Sequence, residues 1–327
     1  MVRLWLAIVG SVVIATQSPS GQDPLALAGA IELPGVQGRI DHLALDTVAG
    51  RLFVAALGNN TVEVVDVKAL KHLKSLTGFR EPQGVAFLPD AKLVAVANGQ
   101  GSGVQMIDAT DYRVRGSVSL GDDSDNVRYD AAAKRIVVGF GNGALAAVDP
   151  MAGQMIGRVA LAGHPESFQL EATGSRVFVN VPDADQISVV DRIAMKVIAT
   201  WPVRTAKSNY PMAYDETTHR LFVGCRRPAK VLIYDTTTGK EVGSSDIVGD
   251  TDDLWYDPRL KRLYVSGGEG FIDVFQQEDP NHLTRIARVA TAAGARTSLF
   301  AADLHRLYLA VPHRGNQRAE IRVYETR

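Results

Sequence analysis

The chain has 327 residues, with 35 basic and 36 acidic side chains, a formal charge of −1, 46% apolar residues and 7% aromatics. This is globular composition: it excludes a disordered, collagen-like or polytopic membrane chain and gives no electrostatic reason to expect a nucleic-acid partner. The single cysteine, Cys225, excludes internal disulfides, cysteine-based zinc sites and covalently attached c-type haem.

At the N-terminus, Met1-Val2-Arg3 is a cationic head, Leu4 to Ala15 is an apolar run, and Thr16 to Gly21 is polar. That order predicts a secretory signal peptide over about residues 1–21. The expectation is a periplasmic or secreted protein with no stable membrane span after cleavage, since the run is too short to cross a bilayer. Residues 22–327 are read as one domain and as a monomer.

A basic residue followed by an apolar run then recurs along the chain. It starts at Arg51-Leu52-Phe53-Val54, Lys92-Leu93-Val94-Ala95, Arg135-Ile136-Val137-Val138 and Arg176-Val177-Phe178-Val179. It continues at Arg220-Leu221-Phe222-Val223, Arg262-Leu263-Tyr264-Val265 and Arg306-Leu307-Tyr308-Leu309, always at spacings of 41 to 44 residues. Before each copy lies a strand-like segment, several of them ending in an acid, such as Leu43-Ala44-Leu45-Asp46 and Leu254-Trp255-Tyr256-Asp257. After it come a Gly- or Asn-rich loop, a third strand usually closing on aspartate (Asp66, Asp108, Asp149, Asp191, Asp235) and a weaker fourth strand. β-branched and aromatic strands separated by Gly, Asn, Asp and Pro predict an all-β chain without long helices.

Four antiparallel strands per ~40–45 residues is the period of a propeller blade, and seven units fill the chain from about residue 30 onward. The last unit ends after Ile321-Arg322-Val323-Tyr324 and lacks an outer strand. Leu27 to Leu33 is a spare strand, expected to pair with the last blade and close the ring. The recurring aspartates read as turn residues, and the recurring Arg/Lys as pairing with the acid that ends the preceding strand. Gln276-Gln277 stands where the sixth unit should carry its aspartate.

At these residues the chain resembles the YncE-like, YVTN-repeat family of bacterial, extracytoplasmic seven-bladed propellers. The Gly-His…Trp-Asp pairing of WD40 repeats is missing. The resemblance implies that loops entering each innermost strand and loops joining second to third strands share one face around a central channel. Fold alone does not give function, but it sorts the polar residues. Two rows precede the innermost strands: His42, Gly84, Asn126, Ser167, Pro211, Asp253 and Thr297, and before it Asp41, Gln83, Asp125, Glu166, Tyr210, Asp252 and Arg296. His42, His164 and His313 are expected on the same face.

This face supports several readings. As a binding site for a small molecule or protein partner, it offers Gln83, Asn126, Arg226, Arg296 and Arg314, whose guanidinium groups suit anions unless neighbouring acids occupy them. As a metal-dependent lactonase or lyase, it offers His42, Glu166, Asp253 and Glu269 as ligands to a divalent ion (Ca²⁺, Mg²⁺ or Zn²⁺), with His42 or His313 as catalytic base. A further reading is an accessory subunit of a periplasmic redox complex.

Overall fold

A computed structural model describes residues 23–101, 103–121 and 123–327. The expected signal segment, residues 1–21, lies outside the described residues. The remainder forms seven four-stranded sheets in which all pairings are antiparallel. Six blades are consecutive in sequence, over residues 43–76, 82–118, 124–160, 168–202, 207–246 and 251–290. The seventh combines residues 298–326 with the N-terminal strand Leu25–Glu32. Among the described residues, no helix is long and apolar enough to cross a membrane.

The two-residue side-chain period of a strand explains why the apolar runs are continuous. In Arg51–Ala56, Leu52, Val54 and Ala56 pack towards blade seven, while Phe53 and Ala55 pack towards blade two. Each blade is sandwiched between two others, so both faces of its central strands must be apolar. The buried side chains form seven clusters, one in each gap between neighbouring blades.

The aspartates cap hairpin turns. Asp66, Asp108, Asp149, Asp191 and Asp235 each accept hydrogen bonds from the backbone N–H groups two and three residues on, at 2.8–3.1 Å. In blade six the third strand runs on to Asp279, which accepts from Asn281 N–H at 2.8 Å. The missing aspartate is therefore displaced three residues by a longer hairpin.

The recurring arginines do more than their expected pairing. Arg135 bonds Asp130 and Arg176 bonds Glu171, as anticipated. Arg220 instead bonds Asp235, on its third strand. The same side chains also reach the next blade: Arg51 donates to Ala109 O at 2.8 Å, Arg135 to Arg192 O at 2.8 Å, and Arg176 to Thr236 O. In each case the acceptor is the carbonyl just after the neighbour's turn aspartate, so the repeat bolts blade to blade.

Ring closure follows the sequence expectation, with the strand beginning two residues earlier than read. Leu25–Glu32 pairs with Glu320–Thr326, Ile31 lying opposite Ile321, and Leu33 N–H donates to Ala319 O at 2.9 Å. Leu25, Ile31 and Leu33 are buried.

Candidate functional site at the channel mouth

The site is built by an irregularity at the start of the inner strands. In blades two, three, five and six the ladder with the second strand slips between Pro82 and Val85, Ser124 and Val127, Asn209 and Met212, and Thr251 and Asp253. In the other three blades the inner strand starts later, and the equivalent residues precede it. Such bulges re-aim side chains at the rim of a sheet. The earlier residue of each pair lines the cavity, and the next one is buried in every blade but the first, where His42 also reaches the cavity.

All seven residues of the outer row (Asp41, Gln83, Asp125, Glu166, Tyr210, Asp252 and Arg296) line one cavity of about 300 Å³, with Arg39, His42, Asp123, His164 and Arg226. Adjacent mouth segments are joined directly: His42 N–H donates to Gln83 O and Asp253 N–H to Arg296 O, both at 3.2 Å. Gly84 is required by this closeness, since a Cβ there would sit 2.0 Å from Asp125 O.

His42 lies with Nδ1 3.5 Å from Asp253 and Nε2 3.9 Å from Asp41. Burial alone would lower the imidazole pKa, but Asp253, then Asp41 and Asp125, lift it to about 10. Burial pushes Asp41 up to about 6, against the pull of His42 and Arg39. Asp253 also accepts from Ser298 N–H at 2.9 Å. On the inner strand Ser124–Asp130, burial holds Arg128 below its usual range, partly offset by Asp253 and Asp125.

Across the cavity, His164 Nδ1 donates to Gly141 O at 2.6 Å and lies 3.3 Å from Asp123, while Nε2 faces Asp125 Oδ2 at 3.8 Å. Burial opposes its charge, yet Asp125, the Gly141 carbonyl and Asp123 hold its pKa up at about 9. Burial, followed by repulsion from Asp125 and Asp252, raises Glu166 to about 8. One ligand atom each from Asp125, His164 and Glu166 lies within 4.8 Å of the others.

The arginines at the mouth are engaged by acids. Arg226 donates to Asp252 at 2.6 Å and to Thr251 O at 2.8 Å, with its guanidinium 3.8 Å from the centre of the Tyr210 ring. Arg296 bonds Asp250 at 2.9 Å and Asp252 at 2.8 Å. They shape the wall, and their charge is balanced by its acids.

Of the residues singled out from sequence, His42, Gln83, Glu166, Arg226 and Arg296 line the cavity. Asp253 sits just beneath, paired with His42. Asn126 belongs to the covered row, only 1% exposed. Glu269 accepts from Gly249 N–H at 3.0 Å outside this cavity. His313 lines a different pocket, beside residues 32–37 at the ring closure, and Arg314 is held in a local bridge with Gln317. The four proposed metal ligands therefore do not converge. The residues the sequence reading left out of its ligand set are Asp125 and His164. Asp125 stood in the row, one position before Asn126, and His164 stands two before Glu166.

No protein-family model matches the chain, and no curated protein matches it in sequence. Solved structures match in shape. A chain of the Kuenenia stuttgartiensis hydrazine synthase superposes with a TM-score of 0.75 at 16% identity, covering 86% of this chain and 96% of that one. A chain of a mitotic checkpoint complex gives a TM-score of 0.76 at 14% identity, covering 99% and 98%. At these identities the similarity shows the propeller fold and nothing finer.

Proposed function

We propose that the protein is an exported, monomeric, YncE-like propeller that binds a small, hydrogen-bonding ligand at the mouth of its channel. The observation that carries this is the convergence of one side chain from each of seven blades on a single cavity. Ligand sites are concave, with a few polar groups fixing orientation, and this one is polar almost throughout. Its arginines already pair with acids, which balances their charge, so a neutral polar molecule fits better than a free anion. The N-terminal pattern at Met1 to Gly21 supports export.

A panel of polyols, sugar lactones, amines and hydroxy acids screened by thermal shift tests the reading. A binder should raise the melting temperature, and Tyr210→Phe with Glu166→Gln should weaken it at least tenfold. A binder whose affinity ignores both substitutions would place the site elsewhere.

A second reading, catalysis at the same mouth, is favoured by one feature. Glu166, lifted to about 8, carries its proton at neutral pH and suits a general acid.

A further inference from the structure

Blades three and four bring three potential ligands to one wall of the cavity. Asp125 comes from the slipped start of the inner strand Ser124–Asp130, while His164 and Glu166 precede the inner strand Phe168–Leu170. We propose that Asp125, His164 and Glu166 bind a first-row transition dication of the Zn²⁺ type, with its open coordination positions facing the cavity.

Three features beyond proximity point to an ion. First, the imidazole is oriented as a ligand. Nδ1 donates to Gly141 O at 2.6 Å, which leaves Nε2 as the nitrogen facing the carboxylates, where an ion would displace its proton. Metal-binding histidines are held in this way by a carbonyl or carboxylate on the second nitrogen. Second, the Asp125 side chain is 13% exposed, and its one printed side-chain partner is the long ion pair with His164. Its nearest donor, His164 Nε2, stands 3.8 Å off, beyond hydrogen-bond range. A largely buried carboxylate held only by so long a contact is under-satisfied, and a cation would satisfy it. Third, Glu166 likewise receives no hydrogen bond from a described side chain, although Tyr210, Arg226 and Gln83 line the same cavity.

The donor set selects the metal. One imidazole nitrogen and two carboxylates suit zinc, manganese or cobalt. Calcium and magnesium prefer oxygen ligands alone, and usually more of them. Bond lengths of about 2.0–2.2 Å place ligand atoms roughly 3–4.5 Å apart around an ion, so atoms already within 4.8 Å need only small side-chain rotations. Three protein ligands with a vacant side is the arrangement of zinc sites that accept an outside oxygen. The site therefore stands whether or not the organic ligand proposed above exists.

The test uses the whole chain, treated with EDTA and dialysed against Zn²⁺ or Co²⁺. One ion per chain is expected, with a dissociation constant below about 10 µM, and Co²⁺ should give the visible absorption of a low-coordinate site. His164→Ala, Asp125→Asn and Glu166→Gln should each weaken binding at least tenfold, with circular dichroism confirming the fold. Glu166→Gln is the safest, because no protein hydrogen bond is lost. His282→Ala, which alters an exposed His–Asp pair elsewhere, should change nothing. Excess Ca²⁺ should not compete. Absence of stoichiometric binding overturns the proposal, as does binding that survives all three mouth substitutions or disappears with His282→Ala.

Discussion

Replacing Asp253 by Asn should move the titration of His42 by about three to four pH units. The two side chains are 7% and 13% exposed, with Nδ1 3.5 Å from the carboxylate, so solvent screens them weakly. In the native protein the balance of burial against Asp253, Asp41 and Asp125 leaves His42 at about 10. Burial is the largest single influence and lowers the imidazole; Asp253 supplies the largest opposing one, and without it only Asp41 and Asp125 stand against burial. The imidazole should then titrate at or below its ordinary value near 6.5. Because the folded pKa lies above the unfolded one, the pair's stabilisation is complete below about pH 6.5 and is lost as pH rises through about 10. At ~1.4 kcal/mol per pH unit the upper bound is about 5 kcal/mol, and about 3 kcal/mol is expected for breaking such a buried pair. The assay is the ring C–H resonance of His42 followed by NMR in both proteins, with urea unfolding at pH 6. A native His42 that titrates near 6.5, or a variant that still titrates near 10, would refute the electrostatic account of the mouth.

Three more outcomes follow from the fold. Ile31→Ala should cost about 3 kcal/mol in urea unfolding, since the side chain is 1% exposed in the cluster that seals blade seven; a loss below about 1 kcal/mol would mean the closing strand contributes little. Asp235→Ala removes the acceptor for Thr237 and Thr238 N–H and the partner of Arg220. It should cost about 1–2 kcal/mol at pH 7. Burial opposes the Asp235 charge, but these interactions outweigh it and lower the native pKa, so their stabilisation is present above the unfolded value near 3.9 and fades as pH falls through the lower folded value; an equal deficit at pH 7 and pH 2 would contradict this. Cys225, buried and pushed up to about 12, should ignore a thiol reagent at pH 8 until the chain is unfolded; rapid native labelling would disprove its burial.

The fold was legible because its signals are local. The alternation in Leu52-Phe53-Val54 and the turn-capping aspartates report on neighbours a few residues away, and the spare strand near Leu27 was matched to the last blade by counting strands. The cavity row was legible too, by counting back from each inner strand. Which of two adjacent residues faces the cavity was not: the slipped ladder between Ser124 and Val127 presents Asp125 and hides Asn126. Partnerships across blades were equally hidden. His164 lies about forty residues from Asp125 in sequence, and nothing local shows that the ring sets its Nε2 3.8 Å from that carboxylate. His313 followed the repeat rule, but the Arg314–Gln317 bridge shapes its loop, and its side chain lines the pocket at the ring closure.

In blade seven, Arg327 N–H donates to Pro24 O at 3.2 Å, and the Arg327 carbonyl accepts from Arg262. The described ends of the chain thus meet within one sheet. A ring of similar blades has no privileged starting point, and chains whose ends adjoin tolerate being rejoined and reopened elsewhere. Joining Arg327 to Pro24 through a short linker, and cutting the exposed Met151–Ala152 turn, would give a circular permutant with all seven sheets intact. The hydrogen-bonded clasp would simply migrate to blade three, leaving a covalent hairpin where the ring is now fastened.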